Sequence, residues 1–212
     1  MRPRVQGRRR RCGRGPHDLR TDPTFWVLTR TSALTAYALL TLSVLAGLVL
    51  KSRPFRGLRG STATDIHRVL TSLALGAIAL HGTSLLFDSK VDFAVPDLLL
   101  PGEGPYRPLW IAFGIVAAEV MVVVYLSFSV RRWIGVRTWR ALHWLTYGIF
   151  GAATVHGVMA GTDSARPWAL GLYVGAIGMV VAATCWRALV PPVSGRRPAQ
   201  RGALPARASA AP

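Results

Sequence analysis

The sequence has few charged residues and almost no cysteine, and both shortages exclude classes of protein. Only 17% of its 212 residues are charged, whereas 51% are hydrophobic, which is too apolar for a soluble domain of this size. The two cysteines, Cys12 and Cys185, lie far apart in the sequence, so the chain has neither a disulfide framework nor a CxxC redox pair. The sequence therefore indicates a membrane protein whose function does not depend on cysteine chemistry.

Acidic residues are also scarce, with 9 acidic residues against 26 basic ones and a net charge of +17. Such a balance suggests nucleic acid or an anionic membrane as the partner. The basic residues are concentrated in the first 20 positions and in short segments beside long apolar runs, where the positive-inside rule places cytoplasmic charge. Because tail charge without a folded basic face is weak evidence for nucleic-acid binding, we expect a membrane partner and no nucleic acid.

Long apolar stretches set the expected architecture. Five of them, at residues 31–50, 65–87, 108–130, 139–160 and 168–190, reach the roughly 20 residues that a helix needs to cross a bilayer. Only helices or closed barrels satisfy the backbone in lipid, and the alternating pattern of a membrane barrel is absent. We predict an all-α bundle of about five transmembrane helices over residues 24–190, flanked by disordered tails at 1–23 and 191–212.

Loop charges predict how this bundle is oriented. Basic segments follow the first, third and fifth stretches, whereas residues 88–106 carry four acids against one lysine. The positive-inside rule then predicts a multi-pass protein of the cytoplasmic membrane with a cytoplasmic C-terminus. Five spans would leave the N-terminal tail outside, with its arginine run at residues 8–11. Three explanations stay open: translation starts further downstream, the tail is tolerated there, or the first helix is a signal anchor and the loop charges mislead.

Four of the five histidines lie inside predicted spans, whereas His17 lies in the tail. His67 and His81 belong to the second stretch, and His143 and His156 belong to the fourth. Ionisable residues are costly inside a membrane and usually functional. The two members of each set are separated by about 20 Å along a helix, so no single metal ion can collect all four.

The histidines also match in depth, because the second and fourth spans cross in the same direction. His67 and His143 lie near the starts of their spans, and His81 and His156 lie near the ends. A structural zinc takes about four protein ligands, whereas a haem iron takes two axial ligands, often histidine. The pattern favours two bis-histidine b-type haems, and the alternative that each histidine only bonds a neighbouring helix stays open. On an ideal helix, however, His156 lies roughly 140° from the azimuth of His143. Bending of the helix or the geometry of the bundle must compensate for this mismatch.

Three further ionisable residues are candidates. Arg68 adjoins His67, and Arg140 precedes His143 by about one helical turn; each can pair with a haem propionate or simply snorkel to the interface. Glu119 lies near the middle of the third stretch, either as a proton relay or, as we favour, neutral and hydrogen-bonded between helices. The tryptophans near the span ends are explained by an aromatic belt.

These histidines occur within a set of short motifs. The motifs are IHR at 66–68, HG at 81–82, PYRPLW at 105–110, WRALHW at 139–144, HG at 156–157 and AGTD at 160–163. Over residues 25–190 the sequence resembles the ferric-reductase-like transmembrane domain. That family includes the haem cores of ferric reductases and NADPH oxidases, and the bacterial haem subunit that serves a periplasmic methionine sulfoxide reductase. The resemblance implies that His67 with His143, and His81 with His156, are the axial ligands of an inner and an outer haem.

The sequence departs from the larger members of that family. The 22 residues after Val190 contain no strand-helix pattern and no Gly-rich phosphate-binding loop, so we expect no flavin or nicotinamide domain. Electrons then come from a separate flavoprotein, from flavin bound to a partner or from a quinol. They leave to an acceptor at the outer face, such as a ferric chelate, dioxygen or an external reductase.

The expected function is therefore that of the membrane haem subunit of a reductase system. The alternatives are a non-redox membrane protein, such as a transporter or an assembly subunit, and a family member with a single haem. The family's six-helix members have one more span than this sequence shows. The loop at residues 88–105 either caps the outer haem, docks the acceptor or is a plain surface loop.

Overall fold

A computed structural model describes residues 23–52, 60–88 and 91–189, and every regular element in these ranges is a helix. The six helices are α1 (Pro23–Ser52), α2 (Gly60–Leu85), α3 (Val95–Leu99), α4 (Pro108–Ser127), α5 (Arg131–Ala160) and α6 (Pro167–Leu189). The predicted all-α class is confirmed. Apart from Pro23, which begins α1, the predicted tails lie outside the described residues, as do His17 and the basic segment 53–59.

Four of the described helices are long and apolar enough to cross a membrane. These spans are Thr24–Leu48, Thr64–Leu85, Pro108–Ser127 and Pro167–Leu189. Large apolar side chains are exposed along them, including Leu73, Val123 and Val181, and a soluble protein rarely exposes so much contiguous apolar surface. The chain is therefore a helical membrane protein. The fifth predicted span lies in α5, which is 30 residues long but less apolar because its first ten residues include four arginines.

Helix α1 begins eight residues before the predicted start of the first span. The sequence places that start after Arg30, because a charge is costly in lipid. In the structure Arg30 forms an ion pair with Asp163 at 2.9 Å, and its guanidinium carbon lies 3.9 Å from the centre of the Trp26 ring. The Arg30 charge thus has an ionic partner, and α1 includes Arg30 and the residues before it.

The basic segment that follows the third apolar stretch, residues 131–137, is helical rather than a loop. Helix α4 ends at Ser127, and only three residues separate it from Arg131, where α5 begins. Helix α5 is kinked at Gly135, whose φ of 81° and ψ of 154° are non-helical and are tolerated because glycine lacks a Cβ. The kink separates the first turn of α5 from the part that carries the histidines.

The segment between α2 and α4 contains a short helix that the sequence did not predict. Helix α3 has five residues, and the Asp97 carboxylate accepts a hydrogen bond from the Ala94 backbone nitrogen at 2.8 Å. Phe93 is buried, whereas Val95 and Leu99 are 56% and 59% exposed. This segment therefore keeps an apolar surface outside the helix bundle.

The bundle is built from two close helix pairs, α1 with α2 and α4 with α5, and α1 also contacts α5 and α6. At its centre the Tyr37 ring lies 5.8 Å from that of Phe150 and 5.0 Å from that of Tyr173. The Tyr37 hydroxyl is 3.0 Å from the Thr154 hydroxyl. Helices α2 and α5 contact each other much less than these neighbours do in the described part of the chain. The two helices that carry the histidines thus face each other without close backbone packing.

Candidate functional site

The structure brings His67, His81, His143 and His156 together in the two pairs that the sequence predicts. The ring centroids of His67 and His143 are 6.0 Å apart with an interplanar angle of 71°. Those of His81 and His156 are 6.3 Å apart with an angle of 69°. All four residues are half-buried. Each pair joins α2 to α5, one pair near each end of the bundle.

His81 is held by a hydrogen-bonded triangle between α1 and α2. Its Nδ1 lies 2.9 Å from the backbone oxygen of Thr29. The Thr29 hydroxyl contacts the Ser84 hydroxyl at 2.8 Å, and Ser84 donates to the backbone oxygen of His81 at 2.8 Å. A carbonyl oxygen can only accept a hydrogen bond, so Nδ1 carries the proton. In the neutral form of this tautomer the lone pair of Nε2 is available for a metal.

His67 is held in the same way 14 residues earlier. Its Nδ1 lies 2.9 Å from the backbone oxygen of Ser43 and 3.2 Å from the hydroxyl of that residue. The Ser43 hydroxyl contacts the Thr71 hydroxyl at 2.7 Å, and Thr71 donates to the backbone oxygen of His67 at 2.8 Å. The carbonyl again assigns the proton to Nδ1 and leaves Nε2 available.

His156 is held by α4. Its Nδ1 lies 2.9 Å from the backbone oxygen of Trp110. A Cβ on Gly114 would lie 2.7 Å from Nδ1 and 2.8 Å from Cε1 and Cγ of His156. Only glycine at this position leaves room for the imidazole, and the close approach to α4 draws the His156 ring toward that helix.

His143 differs from the other three histidines. Within the described residues neither of its ring nitrogens has a hydrogen-bond partner, and its ring instead stacks on Trp139, with centroids 5.2 Å apart and planes 28° apart. Trp139 precedes it by one helical turn. The two histidines of α5 are thus supported in different directions, His143 along its own helix and His156 toward α4. Despite the 140° mismatch expected of an ideal helix, both rings lie within 6.3 Å of their partners on α2.

The residues present fit a bis-histidine iron in each pair. An iron between two imidazole nitrogens, about 2.0 Å from each as in other metal–imidazole bonds, places the ring centroids about 6 Å apart. The observed separations are 6.0 and 6.3 Å. In the described ranges, no group of three or more His, Cys, Asp or Glu side chains could hold a metal ion. Each pair offers two axial ligands, the set that a haem iron takes.

The other predicted site residues lie outside this hydrogen-bonded framework. Arg68 and Arg140 are both exposed, and the Arg68 guanidinium carbon lies 5.3 Å from the centre of the Phe128 ring. Glu119 is exposed and has no hydrogen bond or ion pair within the described residues. The described residues thus provide no partner for the hydrogen bond between helices that we favoured for Glu119, whose side chain lies away from the buried face of α4.

Several residues that build the site were missed in the sequence. Thr29 and Ser43, spaced 14 apart like the histidines they support, left a periodic signal that could have been found. Gly114 has no such signal in the sequence, because its role depends on the ring of His156, which belongs to another helix. Trp110 acts through its backbone oxygen, and Trp139 was assigned to an aromatic belt although it is half-buried against His143.

Comparison with known proteins yields one family. The model of a domain of unknown function (DUF8596) matches residues 24–163, a segment that contains all four paired histidines and ends before α6. No curated protein and no solved structure gives a significant match.

Proposed function

The chain belongs to the DUF8596 family of domains of unknown function, and we propose that it is the membrane haem subunit of a reductase system, with two bis-histidine b-type haems. The observation that carries this proposal is the pairing of His67 with His143 and of His81 with His156 at ring separations of 6.0 and 6.3 Å. Bound haem would supply one-electron redox chemistry. The motifs that resemble the ferric-reductase-like transmembrane domain contain the same four histidines.

The chain itself contributes ligation and orientation. Backbone oxygens of Thr29, Ser43 and Trp110 fix the tautomer of three rings, and such supporting bonds also raise the basicity of a ligating imidazole. The His67 and His81 positions are about 21 Å apart along α2. The two pairs are therefore suited to connecting the two faces of a membrane in two steps.

The end of the bundle at His67 and His143 is proposed to face the cytoplasm. The arginines at the start of α5 lie at this end. So does the last turn of α6, because the Arg187 guanidinium carbon is 5.9 Å from the centre of the Trp144 ring. Asp163 lies at the opposite end, near His156. By the positive-inside rule this charge distribution supports the cytoplasmic membrane as the location and a cytoplasmic C-terminus, with α5 as the fifth span.

The proposed electron donor acts at the cytoplasmic end. Arg68, Arg131, Arg132 and Arg140 are exposed there, which suits an acidic flavoprotein surface that delivers flavin electrons; a membrane quinol is the alternative donor. The acceptor would act near His81 and His156, on the side of the acidic loop. A flavoprotein donor predicts that reduction slows steeply as ionic strength rises, whereas a quinol donor predicts no such dependence.

A haem count tests the central proposal. The purified protein is examined by its dithionite-reduced minus oxidised spectrum and by pyridine haemochrome, together with single alanine variants at His67, His81, His143 and His156. The matched control is His17→Ala, which removes the one histidine outside the predicted spans. We expect two b-type haems per chain in the parent and the control, and about one in each of the four variants.

Other outcomes identify the alternatives. A colourless protein after expression with ample haem would refute the proposal and favour a non-redox membrane protein. One haem per chain, lost on substitution of only one pair, would indicate the single-haem alternative. Arg68→Gln and Arg140→Gln test the propionate role: lower haem retention supports it, and unchanged retention would leave both residues as interfacial arginines.

A further inference from the structure

The two histidine pairs are not equivalent in their supporting contacts. In the pair His81–His156 both Nδ1 atoms lie 2.9 Å from a backbone oxygen. In the pair His67–His143 only His67 has such a partner. A hydrogen bond to a backbone oxygen normally fixes both the tautomer and the ring plane of a metal-ligating histidine, so His143 must be oriented by something else.

The contact that replaces the hydrogen bond is the stack on Trp139. The two rings are 28° from parallel, with centroids 5.2 Å apart, within the range of favourable offset stacking. A near-parallel indole limits rotation of the imidazole about its Cβ–Cγ bond, because tilting the ring would bring its edge into the indole face. The stack therefore fixes the ring plane but provides no acceptor for Nδ1.

Trp139 is itself fixed by its surroundings. Its ring meets the Phe128 ring edge-on at 6.2 Å, and the Arg131 guanidinium carbon lies 5.4 Å from its centre. Its Nε1 is buried and is the one buried side-chain nitrogen or oxygen atom among the described residues without a hydrogen-bond partner. A belt tryptophan normally turns this N–H toward water or headgroups. Trp139 instead packs against His143, and its N–H has no hydrogen-bond partner among the described residues.

We propose that Trp139 is a positioning residue for His143, and that the cytoplasmic site has the weaker ligation because stacking replaces the Nδ1 hydrogen bond there. This inference rests on the proposed haem function. A histidine whose Nδ1 donates no hydrogen bond is a less basic ligand than its three counterparts. The cytoplasmic haem is therefore expected to differ from the outer one in its low-spin spectrum and to be released more readily.

The test separates stacking from general structural damage. Trp139→Leu removes the aromatic face, and Trp139→Phe keeps an aromatic ring without the indole N–H. The matched control is Trp144→Leu, because Trp144 lies on the same helix but is 61% exposed and stacks on Tyr147 instead. Each change is made in a His81→Ala background, which retains only the cytoplasmic pair, and in a His143→Ala background, which retains only the outer pair.

The measurements are the low-spin electron paramagnetic resonance signal and the rate of haem transfer to apomyoglobin. In the His81→Ala background, Trp139→Leu is expected to shift the signal and to speed haem transfer about fivefold, in keeping with the loss of one aromatic stack. Trp139→Phe and Trp144→Leu are expected to match the background. In the His143→Ala background all three are expected to leave the outer signal unchanged.

The possible failures are distinguishable. Absence of haem from the parent protein would overturn the proposed function itself. If haem is present, an unchanged cytoplasmic signal in Trp139→Leu would overturn the positioning role, as would a Trp139→Phe variant that behaves like Trp139→Leu. A Trp139→Leu change that disturbs the outer signal equally would also overturn it, since that result indicates damage to the whole bundle.

Discussion

Gly114 provides the sharpest test of the His81–His156 pair, because its only contribution to the site is that it lacks a Cβ where the His156 ring lies. A Cβ at this position would lie 2.7 Å from Nδ1 of His156, whereas ordinary contacts of this kind require about 3.5 Å. In Gly114→Ala the ring must therefore shift by roughly 0.7–0.8 Å or α4 must move away. Either movement lengthens the 2.9 Å bond from Nδ1 to the Trp110 oxygen beyond normal hydrogen-bond distance.

The size of the effect follows from the overpacking and from the lost hydrogen bond. Overpacking of a filled site costs about 1–3 kcal/mol, and loss of the hydrogen bond costs about 1 kcal/mol. Together they predict a cost of about 2–4 kcal/mol at the His81–His156 site. Binding of the proposed haem there would then weaken by roughly one to three powers of ten, at about 1.4 kcal/mol for each. The His67–His143 pair should be unaffected, because neither histidine contacts Gly114.

The assay is the haemochrome count after dialysis against apomyoglobin, with helicity followed by circular dichroism. If the chain holds the two proposed haems, we expect Gly114→Ala to fall from two haems per chain toward one, with the signal of the His67–His143 pair retained. Gly171→Ala is the matched control, because a Cβ there meets no atom within 4 Å. Full retention of both haems in Gly114→Ala, or an equal loss in Gly171→Ala, would refute the reasoning.

Two predictions concern stability rather than ligation, and thermal unfolding in detergent checks both. The side chains of Arg30 and Asp163 are 24% and 33% exposed, and their charged atoms are 2.9 Å apart. A double-mutant cycle with Arg30→Gln and Asp163→Asn should therefore give a coupling energy of about 0.2–1 kcal/mol that falls as salt is added. A coupling energy of zero at low salt would contradict the pairing. Tyr37→Phe should lower the stability by about 1 kcal/mol, because it removes the 3.0 Å contact with the Thr154 hydroxyl. Tyr147→Phe should lower it less, because the Tyr147 hydroxyl makes a longer, less buried contact of 3.4 Å. Equal effects would contradict a stronger contribution from the central contact.

Some features of the fold could be predicted because they depend on properties that the linear sequence carries. Apolar length and scarce charge predict membrane helices, since each residue advances a helix by a fixed rise. The same regularity allows the depth of a residue along its span to be estimated from the sequence. This is why His67 could be matched with His143 and His81 with His156. The start of α1 was placed too late because the partner of Arg30, Asp163, lies more than a hundred residues away and its pairing is invisible in sequence.

Other features exist only once helices pack. The kink at Gly135, the room that Gly114 leaves for His156 and the carbonyls that hold three of the imidazoles all depend on which helix lies opposite which. The sequence by itself determined an all-helical membrane chain with two histidine pairs at matched depths, because hydropathy and helical rise are local. The tertiary structure alone decided how each ring is held, and so why His143 differs from the other three, because ring orientation is set by contacts between distant residues.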